Sequence, residues 1–226
     1  MIRAALSSPA VGIDVAEPRK GLDLVALDRD RNVLTHHSRL SVSDAVSLTL
    51  ALEPAIVCID SPSGWSTSGP SRLAERELAR IRIQSYRTGP DPGDHPFYRW
   101  MRTGFQVFEG LAPAYPLYRG GEATQRAAEV FPHATACLLA GRLREPGIPK
   151  ASFRTQILRR FKVDTTRLAT PDQIDAALAA LTGLIALDGG HCAVGDPYEG
   201  VILLPVKTLP ETPLSRNGQA PADTRR

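Results

Sequence analysis

The chain has 226 residues, 42% of them apolar and 23% charged, which is enough for one large domain with a core of its own. Its three cysteines (Cys58, Cys137, Cys192) are odd in number and lack a Cys-x-x-Cys pair, which argues against a disulfide framework and against a cysteine zinc site. The net charge of +3 is mild, and part of it lies in the segment from Lys207 on, so any case for nucleic-acid binding has to come from local patches.

Residues Met1 to Ala10 contain no long apolar stretch, and no run approaches the length of a membrane span, so a soluble, cytoplasmic protein is expected. Val11-Gly12-Ile13-Asp14-Val15 reads as a buried strand. Gly21 to Asp28 and Asn32 to Leu40 follow across short polar connections, which makes the first three strands an antiparallel meander. Ser43 to Leu52 has a helical pattern, with Ser41 or Ser43 as N-cap. Ala55-Ile56-Val57-Cys58-Ile59 is an apolar strand ending in Asp60. A strand, a helix and another apolar strand imply a crossover, so this fourth strand should lie in the same sheet as the first.

Ser61 to Pro70 is a serine-rich loop, and Ser71 to Ile83 a helix rich in Arg and Glu. Residues 85–103 are an irregular aromatic and basic insertion, after which Gly104 to Leu111 resumes a helical pattern. Ala127 to Phe131 is a further strand, and His133 to Leu143 and Phe153 to Phe161 are helices. Pro171 to Leu187 is the clearest helix, with Pro171 in its first turn and Gly189-Gly190 beyond its end. Gly200 to Val206 is a last strand, paired with Cys192 to Val194. The segment 207–226, rich in Pro and polar residues, is expected to be disordered. The whole reads as a single α/β domain over residues 1–206 of ribonuclease H-like architecture: three antiparallel strands, then parallel strands, flanked by helices.

Five acids stand at suggestive positions. Asp14 is embedded in an apolar strand, Asp60 ends the strand that should lie beside it, and Glu129 lies in the following strand. Asp175 is on the long helix, where Ala176, Ala177, Ala179 and Ala180 leave room for close packing, and Glu75 is on the helix after the serine loop. In open α/β sheets ligands collect beyond the carboxyl ends of the strands. Clustered ionised carboxylates repel and are costly to desolvate, and a hard divalent cation such as Mg²⁺ or Mn²⁺ relieves both costs. One or two such ions, about 4 Å apart, activate water and stabilise the leaving oxyanion in phosphodiester hydrolysis. Each acid also has a plainer reading. Asp14 can accept backbone hydrogen bonds or pair with an arginine, Asp60 can form an Asx-turn, and Glu75 can lie on a solvated helix face. Asp172 and Asp175 share a face, and one of them can simply complement the helix N-terminus.

Several segments together resemble the domain of unknown function 429 family, a group of predicted nucleases of ribonuclease H-like fold. They are Val11-Gly12-Ile13-Asp14, the stretch from Cys58 through Asp60 to Gly64, Arg72 to Leu78, Glu129-Val130-Phe131-Pro132, Lys150 with Arg154, and Asp175 to Thr182. Gly195-Asp196-Pro197 and Glu199 to Ile202 fit as well. The resemblance implies metal ligands at Asp14, Asp60, Glu129 and Asp175, with Glu75 a further catalytic candidate, and a basic pair at Lys150 and Arg154. The serine-rich loop after Asp60 departs from the small apolar residues frequent in the family.

Arg72, Arg76 and Arg80 recur at helical spacing and should form one stripe, with Trp65, Tyr86, Phe97, Tyr98 and Trp100 among further arginines nearby. Cations interleaved with aromatics suit a phosphate backbone and stacked bases; the plain alternative is a solvated face plus aromatics plugging an edge of the core. Lys150 and Arg154, at i and i+4, can hold a phosphate or form a surface pair. His36, His37 and His133 lack metal-ligand spacing and are read as structural. The leading expectation is therefore a metal-dependent nuclease or phosphodiesterase using Mg²⁺ or Mn²⁺. In it Lys150, Arg154 and Arg72 orient a nucleic acid or nucleotide-like phosphodiester. Two alternatives stand beside it. One is a non-catalytic binding module of the same fold. The other is a nucleotide-binding phosphotransferase, since sugar kinases and actin-like ATPases also begin with a Gly-x-Asp strand, although this chain shows no second copy of that strand.

Overall fold

The computed structural model describes residues 9–216. Its sheet begins with β1 (Ala10–Asp14), β2 (Leu22–Leu27) and β3 (Val33–Leu40), paired antiparallel as a meander. Helix α1 (Val42–Leu52), capped by the Ser41 hydroxyl, crosses over to β4 (Ile56–Asp60), which lies parallel to β1. After α2 (Leu73–Arg80) and α3 (Arg99–Leu111), β5 (Ala127–Glu129) adds in parallel beside β4. Helices α4 (Pro132–Ala140), α5 (Lys150–Arg160) and α6 (Pro171–Leu187) follow, and the hairpin β6 (Cys192–Asp196) and β7 (Gly200–Leu204) completes the sheet. The order β3-β2-β1-β4-β5-β7-β6, antiparallel first and then parallel, is consistent with a ribonuclease H-like arrangement.

Successive side chains of a strand point to opposite faces, and that alternation divides the core in two. Val11, Ile13, Val57 and Ile59 pack on the face shared with Ala45 of α1 and Val107, Phe108 and Leu111 of α3. Ala10, Ile56 and Cys58 pack on the other, against α6. Continuing the same alternation by two residues sends Asp14 and Asp60 out on the α6 face.

Helix α6 lies directly on β1 because residue 12 is glycine. A Cβ at Gly12 would stand 1.9 Å from the carbonyl oxygen of Ala176 and 2.4 Å from the backbone nitrogen of Ala180. No side chain fits there, and this close approach brings the first turns of α6 over the end of β1. The helix starts cleanly, with Thr170 accepting from the Gln173 backbone N–H at 3.1 Å, Gln173 reaching back to the backbone of Thr170, and Pro171 in the first turn.

The structure departs from the sequence reading in two places. Helix α3 starts at Arg99, five residues before Gly104, so the aromatic run of the insertion enters a helix through a 3₁₀ turn at Pro96–Tyr98. The first half of the expected disordered segment is anchored near its end: Leu214 is buried and its N–H donates to the carbonyl of Ile81, and Ser215 accepts from the N–H of Leu143. These contacts carry the ordered chain past residue 206. Residues 217–226, the rest of that segment, lie outside the described residues. Among the described residues no helix is long and apolar enough to cross a membrane.

Candidate functional site

Asp14 and Asp60 end two adjacent parallel strands and are direct partners in the register. Asp175, one residue before the Ala176 carbonyl that crowds Gly12, stands over them from α6. One carboxylate oxygen from each of the three lies within 4.8 Å of the others. Among the described residues neither Asp14 nor Asp60 forms a salt bridge, whereas Asp175 pairs through Oδ2 with Arg154 of α5. The other oxygen of Asp175, Oδ1, is buried without a hydrogen-bond partner.

The electrostatics follow from this crowding. Burial, and then the neighbouring Asp60 and Asp175 charges, hold the Asp14 carboxyl well above the usual carboxylate range. Burial and Asp175 push Asp60 up to about 8, with Arg154 pulling the other way. Asp175 is raised by burial to about 6 despite the adjacent guanidinium. Three acids in this state favour either bound protons or a cation held by hard oxygen donors.

Glu129 and Glu75 are not in this group. Arg72, expected to orient phosphate from a solvent-facing stripe, is instead the N-cap residue of α2 and only 1% exposed. Its Nη1 and Nη2 donate to the two oxygens of Glu129 at 2.8 and 2.5 Å, and its Nε donates to Glu75 at 3.0 Å. Glu129 accepts in addition from the backbone and hydroxyl of Ser63. Glu75 accepts from Ser71 Oγ and from the backbone N–H groups of Arg72 and Thr88. These three residues form a buried ionic frame that joins β5, the loop after β4, the start of α2 and residue 88. Both glutamates are saturated by protein donors, and the guanidinium is spent on them.

Sequence reasoning missed Glu199, in the β6–β7 turn. Its Oε1 accepts from Ser66 Oγ, the backbone of Thr67 and both the backbone and hydroxyl of Ser68, at 2.7–2.9 Å. Its Oε2 accepts from the N–H of Leu73 at the start of α2. Burial pushes this carboxyl up, but the bonds from Ser66, Thr67 and Ser68 outweigh it and hold the group at about 2. The serine-rich loop is therefore pinned. Its serines are the only early signal of that role, because hydroxyls and loop N–H groups need a buried acceptor.

A cleft of about 890 Å³ opens beside the acids. Asp60, Arg154, Lys150 and His133 line it together with Tyr86, Phe97 and Trp100. Lys150 is exposed at the first turn of α5. Burial and the nearby Arg154, Lys150 and Arg144 lower His133 to about 4, so it is neutral at pH 7. Lys20, on the same cleft, lies 3.9 Å from Asp172.

A family model described as a protein of unknown function, DUF429, matches residues 12–199. The chain belongs to the DUF429 family. The DUF429 segment holds all three clustered acids, the ionic frame and Glu199. No curated protein and no solved structure matches the chain. The family's description states no activity, so a function for this DUF429 protein has to be argued from its own site.

Proposed function

We propose that this protein is a metal-dependent phosphodiesterase acting on nucleic acid, with Asp14, Asp60 and Asp175 holding Mg²⁺ or Mn²⁺. The observation that carries the reading is the convergence of three acids, two of them without a protein cation, with a buried Asp175 oxygen left unpartnered. All the donors are hard oxygens, the set that Mg²⁺ and Mn²⁺ prefer. Bound there, such an ion supplies Lewis-acid polarisation of a phosphoryl oxygen and lowers the pKa of a coordinated water.

The chain's own residues do the rest. Arg154 fixes the Asp175 carboxylate by donating to Oδ2. Lys150, on the next turn of the same helix and facing the cleft, offers an ammonium to a phosphate without being committed to a partner acid in the described structure. His133, held neutral, adds no charge to that wall. Arg72 engages Glu129 and Glu75 instead, so the ligand set of this reading narrows from the expected four acids to three, and Glu75 drops out as a catalytic candidate. A cytoplasmic setting, in which Cys58, Cys137 and Cys192 stay thiols, suits this reading.

Calorimetric titration with Mn²⁺ and a cleavage assay on single-stranded and duplex RNA and DNA test the proposal together. The wild type is expected to bind Mn²⁺ and to cleave at least one substrate, and Asp14→Asn to lose both. Cleavage unchanged in Asp14→Asn overturns the assignment. Absence of Mn²⁺ binding at millimolar concentration replaces it with a non-catalytic binding module.

A further inference from the structure

Of the aromatic side chains that line the cleft holding Asp60, Phe131 packs against the core, and Tyr86, Phe97 and Trp100 do not. Tyr86 is 67% exposed and Phe97 47%, and neither they nor Trp100 belongs to either hydrophobic cluster. They do contact each other: the Tyr86 ring lies 5.7 Å from that of Phe97 and 6.0 Å from that of Trp100, centroid to centroid. The alternative that they plug an edge of the core therefore fails. Exposed aromatic surface is costly to keep in water unless something covers it. Here it shares one concave space with Lys150, Arg154 and Lys20.

We infer that the cleft receives an unstacked nucleobase together with its adjoining phosphate, the base resting on Tyr86, Phe97 and Trp100 and the phosphate lying toward Lys150 and the acids. This inference rests on the phosphodiesterase reading and names its substrate class. Aromatic faces bind any base by stacking, and neighbouring cations hold the backbone, which is how single strands are gripped without sequence readout. A duplex keeps its bases stacked and shows only their edges in the grooves, so it cannot lay a base face against these rings without first extruding it. A cleft of about 890 Å³ is within the size range of pockets for small organic ligands. The occupant is therefore single-stranded nucleic acid or a free nucleotide, which present the same chemistry.

The test measures binding with Ca²⁺ in place of Mg²⁺ or Mn²⁺, by anisotropy of a short fluorescein-labelled single strand. The matching duplex and a mononucleotide serve as competitors. The single strand is expected to bind at least about tenfold more tightly than the duplex, and Tyr86→Ala/Phe97→Ala to weaken it by about tenfold or more. The exposed double variant is expected to keep the wild-type Tm and Mn²⁺ titration. Complete competition by the mononucleotide assigns the cleft to a free nucleotide, and weak competition assigns it to a strand; either supports base binding. Equal affinity for duplex, or strand binding unchanged in the double variant, overturns the inference. If wild type binds Mn²⁺ but no strand or nucleotide, the inference falls while the ion site stands. If it binds the strand but no Mn²⁺, the ion site falls and the aromatic variant still decides this inference.

Discussion

Asp14 and Asp60 occupy the same rung of two parallel strands, so one register places both carboxyls at one edge of the sheet. Neither is neutralised by a basic side chain in the described structure, and Asp175 reaches them from the helix above. The site thus depends on strand pairing and on helix docking, not on loops.

Without a divalent ion, stability should fall as pH rises. Asp60 titrates at about 8 and Asp175 at about 6 in the folded state, against about 4 in an unfolded chain. Between these limits the folded protein holds more protons than the unfolded one, so raising the pH favours unfolding. Asp60→Asn removes part of this slope and should raise the Tm of the ion-free protein at pH 8, by roughly 2–4 °C for each kcal/mol relieved. Saturating Mn²⁺ should flatten the slope in the wild type. Thermal melts from about pH 5 to about pH 8 decide it, and stability that rises with pH across that range would contradict the placement of Asp60.

The buried guanidinium of Arg72 should be indispensable to stability. Arg72→Met leaves Glu75 and Glu129 in the interior without their cation, a change that costs about 3–5 kcal/mol. Arg72→Lys should recover little, because one ammonium cannot reproduce a fork bonded to both oxygens of Glu129 and a third bond to Glu75. Urea denaturation midpoints at unchanged slope give the comparison. A loss under about 1 kcal/mol for Arg72→Met would mean that the frame is not buried as described.

Substituting Gly12 should damage fold and ion site together. In Gly12→Ala the new methyl meets backbone atoms of α6, which cannot turn aside, and overpacking of this kind costs about 1–3 kcal/mol. The helix must lift, carrying Asp175 away from Asp14, so Mn²⁺ affinity should drop as well. Gly183→Ala, whose nearest neighbours at 2.8 and 2.9 Å are the side-chain atoms Ile56 Cγ2 and Cys58 Sγ, should be milder and leave ion affinity near wild type. Paired Tm and calorimetric measurements separate the two, and equal ion affinity in Gly12→Ala and wild type would refute the link.

The elements that build this site differ in how plainly the sequence announces them. Asp14 and Asp60 stand at the ends of apolar strands separated by two meander strands and one crossover helix, and that pattern points to β4 lying parallel to β1. Asp175 is legible from the small residues around it, which only a closely docked helix needs. Glu129, Glu75 and Arg72 mislead for a physical reason. An arginine at i, i+4 spacing with Arg76 looks like part of a solvated stripe, yet Arg72 sits one residue before the helix, where its side chain turns inward. Nothing local signals that Glu129, more than fifty residues away, will meet it. Glu199 is less visible still, because Ser66, Thr67 and Ser68, which supply most of its donors, lie over 130 positions upstream in a stretch that reads only as polar loop. The helix start at Arg99 is hidden because Tyr98, Arg99 and Trp100 show no amphipathic period of their own.

The hold of Glu199 on Ser66, Thr67 and Ser68 also sets a sequence of events during synthesis. The ribosome releases residues 61–70 long before residue 199, so a nascent chain has the strands that carry Asp14 and Asp60 but no anchor for the segment that follows them. Asp175 also emerges late, on α6. The acids therefore gather, and the cleft takes its final walls, only as translation nears the end of the domain.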